Sequence, residues 1–176
     1  MIEQRTAHTT DLDDETKTAV RALMDAAFGG VPDDTFDNVL GGVHTLVFED
    51  GELIGHASVV QRRLLHGGRA LRTGYIEGVA VRSDRRRRGH GHAMMAVLEP
   101  IVRSGYQLSA LGASDDGARL YTSRGWHQWR GPLSVLSPDG IRRTPGKDGA
   151  VYVLPVSIPV DVTGELTCDW RPGSVW

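Results

Sequence analysis

Glu77 is the single carboxylate of an otherwise apolar run, Tyr75-Ile-Glu-Gly-Val-Ala-Val81. Eleven polar residues follow it, Arg82-Ser-Asp-Arg-Arg-Arg-Arg-Gly-His-Gly-His92. A carboxylate in such a run must face water or a partner, because burying it unpaired is costly, so Glu77 faces solvent, pairs with one of the many arginines or takes part in chemistry. In the polar stretch the arginines offer planar forks suited to phosphate oxygens, and Gly89 and Gly91 let an anion come close to the backbone. Met94, Met95, Val97, Leu98, Ile101 and Val102 then recur at three- and four-residue steps, the pattern of a helix face. The helix they predict opens with unpaired N–H groups and a partial positive charge. A basic, glycine-containing loop between a strand and a helix N-terminus is a pyrophosphate site by construction. Not every arginine can turn inward, and Arg87 and Arg88 are better placed than Arg85. Away from such a position, a run of arginines would simply be a solvated face.

The remaining candidates carry less chemistry. Seven histidines show no metal-ligand spacing, and with one cysteine in the chain a zinc site is not expected. His90 and His92 read as loop surface, Met94 and Met95 as core, and Cys168 as an inert packing residue. The lone cysteine excludes an internal disulfide and fits a reducing compartment. Twenty-two acids against twenty Lys and Arg give a net charge of −2, whereas a general nucleic-acid binder would be basic overall. No apolar stretch is long enough to span a bilayer, and the first residues do not form a signal peptide, so a cytoplasmic location is expected. At 176 residues, with 40% hydrophobic content, the chain is expected to form one domain with a real core.

The elements that must position these residues can be read in order. Ile2 to His8 reads as an edge strand. Asp11-Leu-Asp-Asp-Glu15 starts a helix whose apolar face is Val20, Leu23, Met24, Ala27 and Phe28, and Gly29-Gly30 ends it. A short second helix runs to Leu40. Thr45–Glu49 and Leu53–Val60 flank Asp50-Gly51, a strong hairpin signal. Gln61–Leu65 and Leu71–Gly74, around His66-Gly-Gly-Arg69, predict a second hairpin leading into the strand of Glu77. After the central helix come a strand over Tyr106–Gly112, a helix from Ser114 to Arg124, and a strand begun at Trp126. Ser137–Asp148 reads as loop, and Val151–Pro155 as the last clear strand. This order predicts an α/β fold with a mixed sheet rather than repeating parallel βαβ units.

Strand, Arg86-x-x-Gly89-x-Gly91, then helix resembles the acyl-coenzyme A loop of the GNAT N-acyltransferase superfamily, and Ala118-Arg-Leu-Tyr121-Thr-Ser-Arg-Gly125-Trp126 resembles its later helix-turn-strand. Four further blocks resemble the aminoglycoside 2′-N-acetyltransferases: Tyr75-x-Glu-Gly-Val-Ala-Val81, Tyr106-Gln-Leu-x-Ala-Leu111, Leu40-Gly-Gly-x-His44 and Cys168-Asp-Trp-Arg-x-Gly-x-x-Trp176. The resemblance covers nearly the whole chain and implies a mixed, mostly antiparallel sheet flanked by helices. It implies acetyl-CoA as cosubstrate, held by the backbone of Val79, Ala80 and Val81 and by Arg86, Arg87, Arg88, Gly89, His90 and Gly91. Gly78 would mark a local bulge that frees those N–H groups. It makes Glu77 the general base and Tyr121 the general acid. A substrate pocket would include Asp33, Asp34, Glu77, Gly78, Gly112, Lys147 and the carboxylate of Trp176. A homodimer is compatible with it, and no nucleic acid or membrane partner is implied.

The sequence departs from the family where a polycationic substrate would bind. Gly29-Gly30-Val31-Pro32 lacks the acid the family carries there, with Asp33 and Asp34 displaced along the loop; Lys147 replaces an acid, and so does Ser174. A less cationic aminoglycoside bearing its own carboxylate, such as kasugamycin, would suit Lys147. The competing expectations are a GNAT enzyme for another small amine or a peptide N-terminus, and a noncatalytic acyl-CoA- or nucleic-acid-binding module.

Overall fold

The computed structural model describes every residue from Met1 to Trp176. The chain divides into two compact units, Met1–Val60 with Ile76–Ile101 and Gln61–Tyr75 with Val102–Trp176. Two long strands, β3 (Glu52–His66) and β4 (Arg69–Val81), contribute to both.

The first unit begins with β1 (Ile2–His8) and continues through a 3-10 turn (Thr9–Asp11), α1 (Asp14–Phe28), α2 (Asp33–Asp37) and β2 (Val43–Glu49). It also holds the start of β3, the end of β4 and most of α3 (His90–Gly105). Of the acids that start α1, Asp13 is the cap, accepting the Thr16 N–H at 2.8 Å, and Gly29 ends the helix at φ 76°. β1 lies at the edge, antiparallel to β2, and β2 is antiparallel to β3. Asp50 and Gly51 both take positive φ, 50° and 88°, as a tight I′ hairpin turn requires. The register then slips by one residue: Phe48 faces Leu53, but Val47 faces Gly55. Leu23 and Met24 of α1 pack with Val39, Leu46 and Ala80 into one core.

The second unit adds β5 (Leu108–Gly112), α4 (Asp115–Ser123), β6 (His127–Gln128), β7 (Leu133–Ser137), β8 (Gly140–Arg143), β9 (Val151–Pro155) and β10 (Leu166–Asp169). Its strands run in the order β6-β9-β5-β4-β3-β10-β7-β8. The β4/β5 and β10/β7 pairs are parallel, and the β5/β9, β6/β9, β10/β3 and β7/β8 pairs antiparallel. The sheet is therefore mixed and mostly antiparallel, as the order of elements indicates. Ser114 caps α4 by accepting the Gly117 N–H. No helix is long and apolar enough to cross a membrane.

Three elements differ from expectation. The second hairpin is present, turning at Gly67-Gly68 into β4, but Gln61–Leu65 is not a separate strand: it continues β3. The strand passes Arg62 inward, where an ion pair with Asp169 at 2.7 Å and the face of the Tyr75 ring at 4.6 Å receive the guanidinium. Residues 137–148 are not all loop, since Gly140–Arg143 pairs with β7 as an edge strand whose four residues are exposed and so show no apolar alternation. Val151–Pro155 is not the last strand either: β10 lies between β3 and β7, and that pairing rather than a local pattern defines it.

Arg62 is only 4% exposed, so it depends on its partner. Breaking a buried pair by removing one member costs roughly 3–5 kcal/mol, and less where the partner is partly exposed, as Asp169 is. Asp169→Ala is expected to cost about 2–3 kcal/mol. Thermal unfolding should fall by roughly 4–12 °C, at about 2–4 °C per kcal/mol for a domain of this size, and differential scanning calorimetry checks it.

Candidate active site

In the first unit β4 runs from Ile76 to Val81 and delivers the basic loop. Glu77, Gly78 and Val79 are half-buried, and Ala80 is packed in the core. Gly78 has φ 56°, a left-handed conformation inside a strand; a Cβ there would stand 3.0 Å from Val39 Cγ1, 3.1 Å from Met24 Sδ and 3.2 Å from His56 Cε1. Only glycine meets both demands. The expected irregularity at Gly78 is thus a left-handed kink of the strand.

A 3-10 turn (Ser83–Arg85) follows, then Arg86 in extended conformation, Arg87 at φ 59° and Gly89 at φ 89°, and α3 opens at His90. The Gly89 carbonyl accepts the first helical bond, from Ala93 N–H at 3.0 Å. Left-handed residues alternating just before a helix turn successive backbone N–H groups toward one concavity, which suits an anion. The arginines divide. Arg82 pairs with Glu52 at 2.9 Å and Asp84 at 2.8 Å, and Arg85 pairs with Glu49 at 2.5 Å and Asp84 at 2.7 Å. Arg86 Nε donates to the Val81 carbonyl at 3.2 Å. Arg87 and Arg88 are exposed and enter none of these pairs, which favours them over Arg85 as ligand contacts.

Beneath β4 lies a pair the sequence reading passed over. His44 on β2 and His56 on β3 are both fully buried, with Nδ1 of His44 2.9 Å from Nε2 of His56. His56 Nδ1 lies 2.8 Å from the Gly78 carbonyl oxygen, and His44 Nε2 lies 2.7 Å from Thr9 Oγ1. Burial, reinforced by the charge of His8, pushes the His44 imidazole down to about 4. Burial outweighs the Gly78 hydrogen bond at His56 and pushes that ring down to about 3. Both rings are therefore neutral near pH 7.

In the second unit Tyr121 is buried on α4, its ring 6.0 Å from that of Trp126 and 6.3 Å from that of Tyr152. Gly117, one turn earlier, leaves room for it: a Cβ there would be 3.2 Å from Tyr121 Cε2. Burial raises the phenol to about 12. Trp176 is 5% exposed, its indole N–H donating to Thr144 Oγ1 at 2.9 Å. That bond ties it to the turn Pro145–Lys147, whose Lys147 is exposed. Gly112 completes the cluster, since a Cβ on it would lie 3.5 Å from the Trp176 main-chain carbon. Ser174 Oγ donates to the Trp176 main-chain oxygen at 2.6 Å. Ser174 thus orients that oxygen.

Asp33 and Asp34 begin α2 in the first unit, both exposed. Arg21 pairs with Asp33 at 2.9 Å and donates to the Val31 carbonyl at 2.6 Å. Asp33 therefore carries a compensated charge, while Asp34 is in no ion pair. Cys168 is fully buried and burial raises its thiol to about 11, in keeping with a packing role.

Residues 8–129 match the acetyltransferase (GNAT) domain family. Among solved structures the GNAT family N-acetyltransferase YhbS of Escherichia coli, in complex with CoA, superposes with a TM-score of 0.66 at 18% identity, over 95% of this chain and 89% of that one. Eis1 of Mycobacterium abscessus superposes at 0.61 with 22% identity, over 76% of this chain and 33% of its own length. At these identities the likeness is one of fold. The chain belongs to the GNAT acetyltransferases. Within them it is 49% identical, over 98% of its length and 91% of the relative's, to the aminoglycoside 2′-N-acetyltransferase of Mycolicibacterium fortuitum, and it belongs to that family.

The buried histidines set a pH dependence of stability. Their folded values, about 4 and about 3, lie below the unfolded value of about 6.5. The unfolded chain therefore binds more protons between those limits, and stability must rise with pH there. The contribution is fully present above pH ~6.5 and is lost as pH falls toward 4 and then 3. With two groups the slope approaches about 2.7 kcal/mol per pH unit. Urea unfolding between pH 7.5 and 4.5 should show this loss, and it should be roughly halved in a His44→Gln variant.

Proposed function

We propose that this chain transfers an acetyl group from acetyl-CoA to the 2′-amine of an aminoglycoside. The observation that carries the reading is the left-handed pair Arg87 and Gly89 between β4 and the N-terminus of α3. It supports a pyrophosphate site of the coenzyme formed by Arg86, Arg87, Arg88, Gly89, His90 and Gly91. The backbone of Val79, Ala80 and Val81 takes the pantetheine arm, with the Val79 N–H donating to the thioester carbonyl as negative charge develops there. The identity to an aminoglycoside 2′-N-acetyltransferase supports the acceptor class.

The reaction forms an N–C bond to the acetyl carbon and breaks its C–S bond. The acceptor ammonium first gives a proton to Glu77, directly or through water, and the free amine attacks. The thiolate then leaves. Tyr121, held near 12 by burial, remains a phenol and a hydrogen-bond donor. Complete transfer of its proton to a thiolate whose thiol titrates near 8.5 would be uphill by roughly 5 kcal/mol. Tyr121 therefore stabilises the leaving sulfur by hydrogen bonding, and the attacking nitrogen, cationic in the tetrahedral adduct, supplies the proton as the neutral amide forms. A hydrogen bond to a charged group is worth about 1.5–3 kcal/mol. Tyr121→Phe should accordingly lower kcat about 10- to 100-fold with the CoA dissociation constant changed by less than about 3-fold. Stopped-flow turnover beside calorimetric binding checks it, and an unchanged kcat removes Tyr121 from the reaction.

Gly112, Trp176 and the Lys147 turn form the acceptor pocket in this reading, and Asp33, Asp34, Glu77 and Gly78 are the candidate acceptor contacts of the first unit. Lys147 repels an ammonium and attracts a carboxylate, so a kasugamycin-like acceptor is favoured over polyamine drugs. Lys147→Asp should move the ratio of kcat/KM for kasugamycin over gentamicin toward gentamicin by about 10-fold or more, because a misplaced charge costs several kcal/mol where it is desolvated. An unchanged ratio takes Lys147 out of the pocket. Mass spectrometry of amino sugars and N-terminal peptides incubated with acetyl-CoA tests the acceptor class.

Arg87→Glu with Arg88→Glu tests the loop. Loss of two charge-assisted contacts predicts CoA binding weakened at least about 100-fold, with a pantetheine analogue lacking the phosphates weakened less than about 3-fold. Equal losses for both ligands overturn the loop assignment.

A further inference from the structure

The hydrogen bonds beneath Gly78 can run in only one direction. The Gly78 oxygen is solely an acceptor, so His56 Nδ1, 2.8 Å away, must carry a proton. With the ring neutral, His56 Nε2 is a lone pair, so His44 Nδ1 at 2.9 Å must be the donor to it. His44 Nε2 is then a lone pair as well, and Thr9 must turn its O–H to it at 2.7 Å rather than to the Gly42 carbonyl at 3.3 Å. Thr9 Oγ1 in turn accepts the Gly41 N–H at 2.8 Å and the Gly42 N–H at 3.2 Å. One acceptor on β4 thereby sets two tautomers and a hydroxyl rotor, all buried or half-buried, over three strands and a turn.

The consequence lies in the peptide that contains the acceptor. The Gly78 carbonyl and the Val79 N–H belong to one planar trans unit and point to opposite sides. A clamp on the oxygen is a clamp on the direction of that N–H. A hydrogen bond to the oxygen also polarises the amide and strengthens its donor. Gly78 alone would not hold the plane, because left-handed glycine is conformationally permissive.

We propose that His56, oriented by His44 and Thr9, is a positioning residue that fixes the Gly78–Val79 peptide and so aims the Val79 N–H at the acetyl carbonyl. This rests on the reading of Val79 as the donor to the thioester. It assigns the His44–His56 pair a part in the reaction although neither ring touches a reacting atom.

The test uses the full chain and three readouts. Long-range proton–nitrogen NMR of the parent, without ligand, should show both rings as Nδ1–H tautomers; an Nε2–H tautomer at His56 overturns the proposal. Infrared difference spectra of bound acetyl-CoA, carbon-13 labelled at the acetyl carbonyl, should show that stretch lowered relative to free acetyl-CoA. His56→Gln places its amide where ring Nε2 stands and loses the Gly78 bond; His56→Asn places its amide where Nδ1 stands and keeps it. His56→Gln should move the stretch back toward the free value and lower kcat about 10- to 100-fold, part of the 10²–10³ that a lost oxyanion donor costs. Acetyl-CoA affinity should change less than about 3-fold. His56→Asn, even if less stable, should return the stretch and kcat to within about 3-fold of the parent. A purely structural role would lower stability in both variants and leave the stretch at the parent position, and that outcome overturns the proposal. Failure of the parent to acetylate any amino sugar would remove the acceptor assignment but not the tautomer and infrared results. Failure of the parent to bind acetyl-CoA would remove the coenzyme reading and this proposal with it.

Discussion

The carbonyl oxygen of Gly78, half-buried over the core of the first unit, takes a hydrogen bond from a side chain, and the arrangement beneath β4 follows from that demand. Leaving it unsatisfied would cost about 1–3 kcal/mol. A lysine or arginine beneath it would carry a charge into a core lined by Met24 and Val39, at several kcal/mol. A neutral imidazole is the cheaper donor, but it brings a second nitrogen that must also be satisfied. His44 meets that need and passes it on, and Thr9 ends the series at the N–H groups of Gly41 and Gly42. The kink of one glycine thus dictates side chains on β2, on β3 and in the turn after β1.

The basic loop shows the same economy in its charges. Arg82 and Arg85 are bound to Glu49, Glu52 and Asp84 and hold the loop base to the β2–β3 hairpin. Exposed pairs of this kind add little stability, about 0–1 kcal/mol each. Their effect is to order a segment that would otherwise have to be ordered when an anion binds. Arg87 and Arg88, outside these pairs, retain their charge for that anion. Asp84 accounts for the division, since one short acid inside the run takes a hydrogen bond from the arginine two residues before it and from the one just after.

What the sequence shows and what it hides differ by the range of the interaction. Asp50-Gly51, the Ser114 cap and the loop at Gly89 are local, and each lies where its residues place it. Arg62 reads as a surface residue because its partner, Asp169, is 107 residues away. β10 and β8 owe their existence to pairing with β7, not to any alternation of their own. The histidine pair is hidden by a subtler cause. Counting back from a two-residue Asp-Gly turn puts His44 opposite Ala57 and His56 opposite Thr45, on opposite faces of the hairpin. The one-residue slip beyond Phe48 changes the pairing to His44 with Ser58 and Leu46 with His56, and both imidazoles then point the same way. Glu77 and Tyr121 stand out through the blocks that carry them, whereas the histidines beneath Gly78 depend on a bulge that the pattern does not encode.

Two of the exposed acids are compensated within their own surroundings. Asp33 meets Arg21, and Asp148 meets Arg143 at 2.9 Å. Such exposed charges, screened by salt over about 8–10 Å, steer an incoming amine more than they select it. Burial, by contrast, orders the surroundings of Trp176. Its indole is fixed by Thr144 and its main-chain oxygen by Ser174, whose carbonyl in turn accepts from Arg171 at 2.8 Å. A carboxylate at 174 would be repelled by that oxygen, whereas the hydroxyl donates to it and holds it in place. Ser174 holds the main-chain oxygen of the tryptophan, and Thr144, which precedes the Lys147 turn, holds its indole.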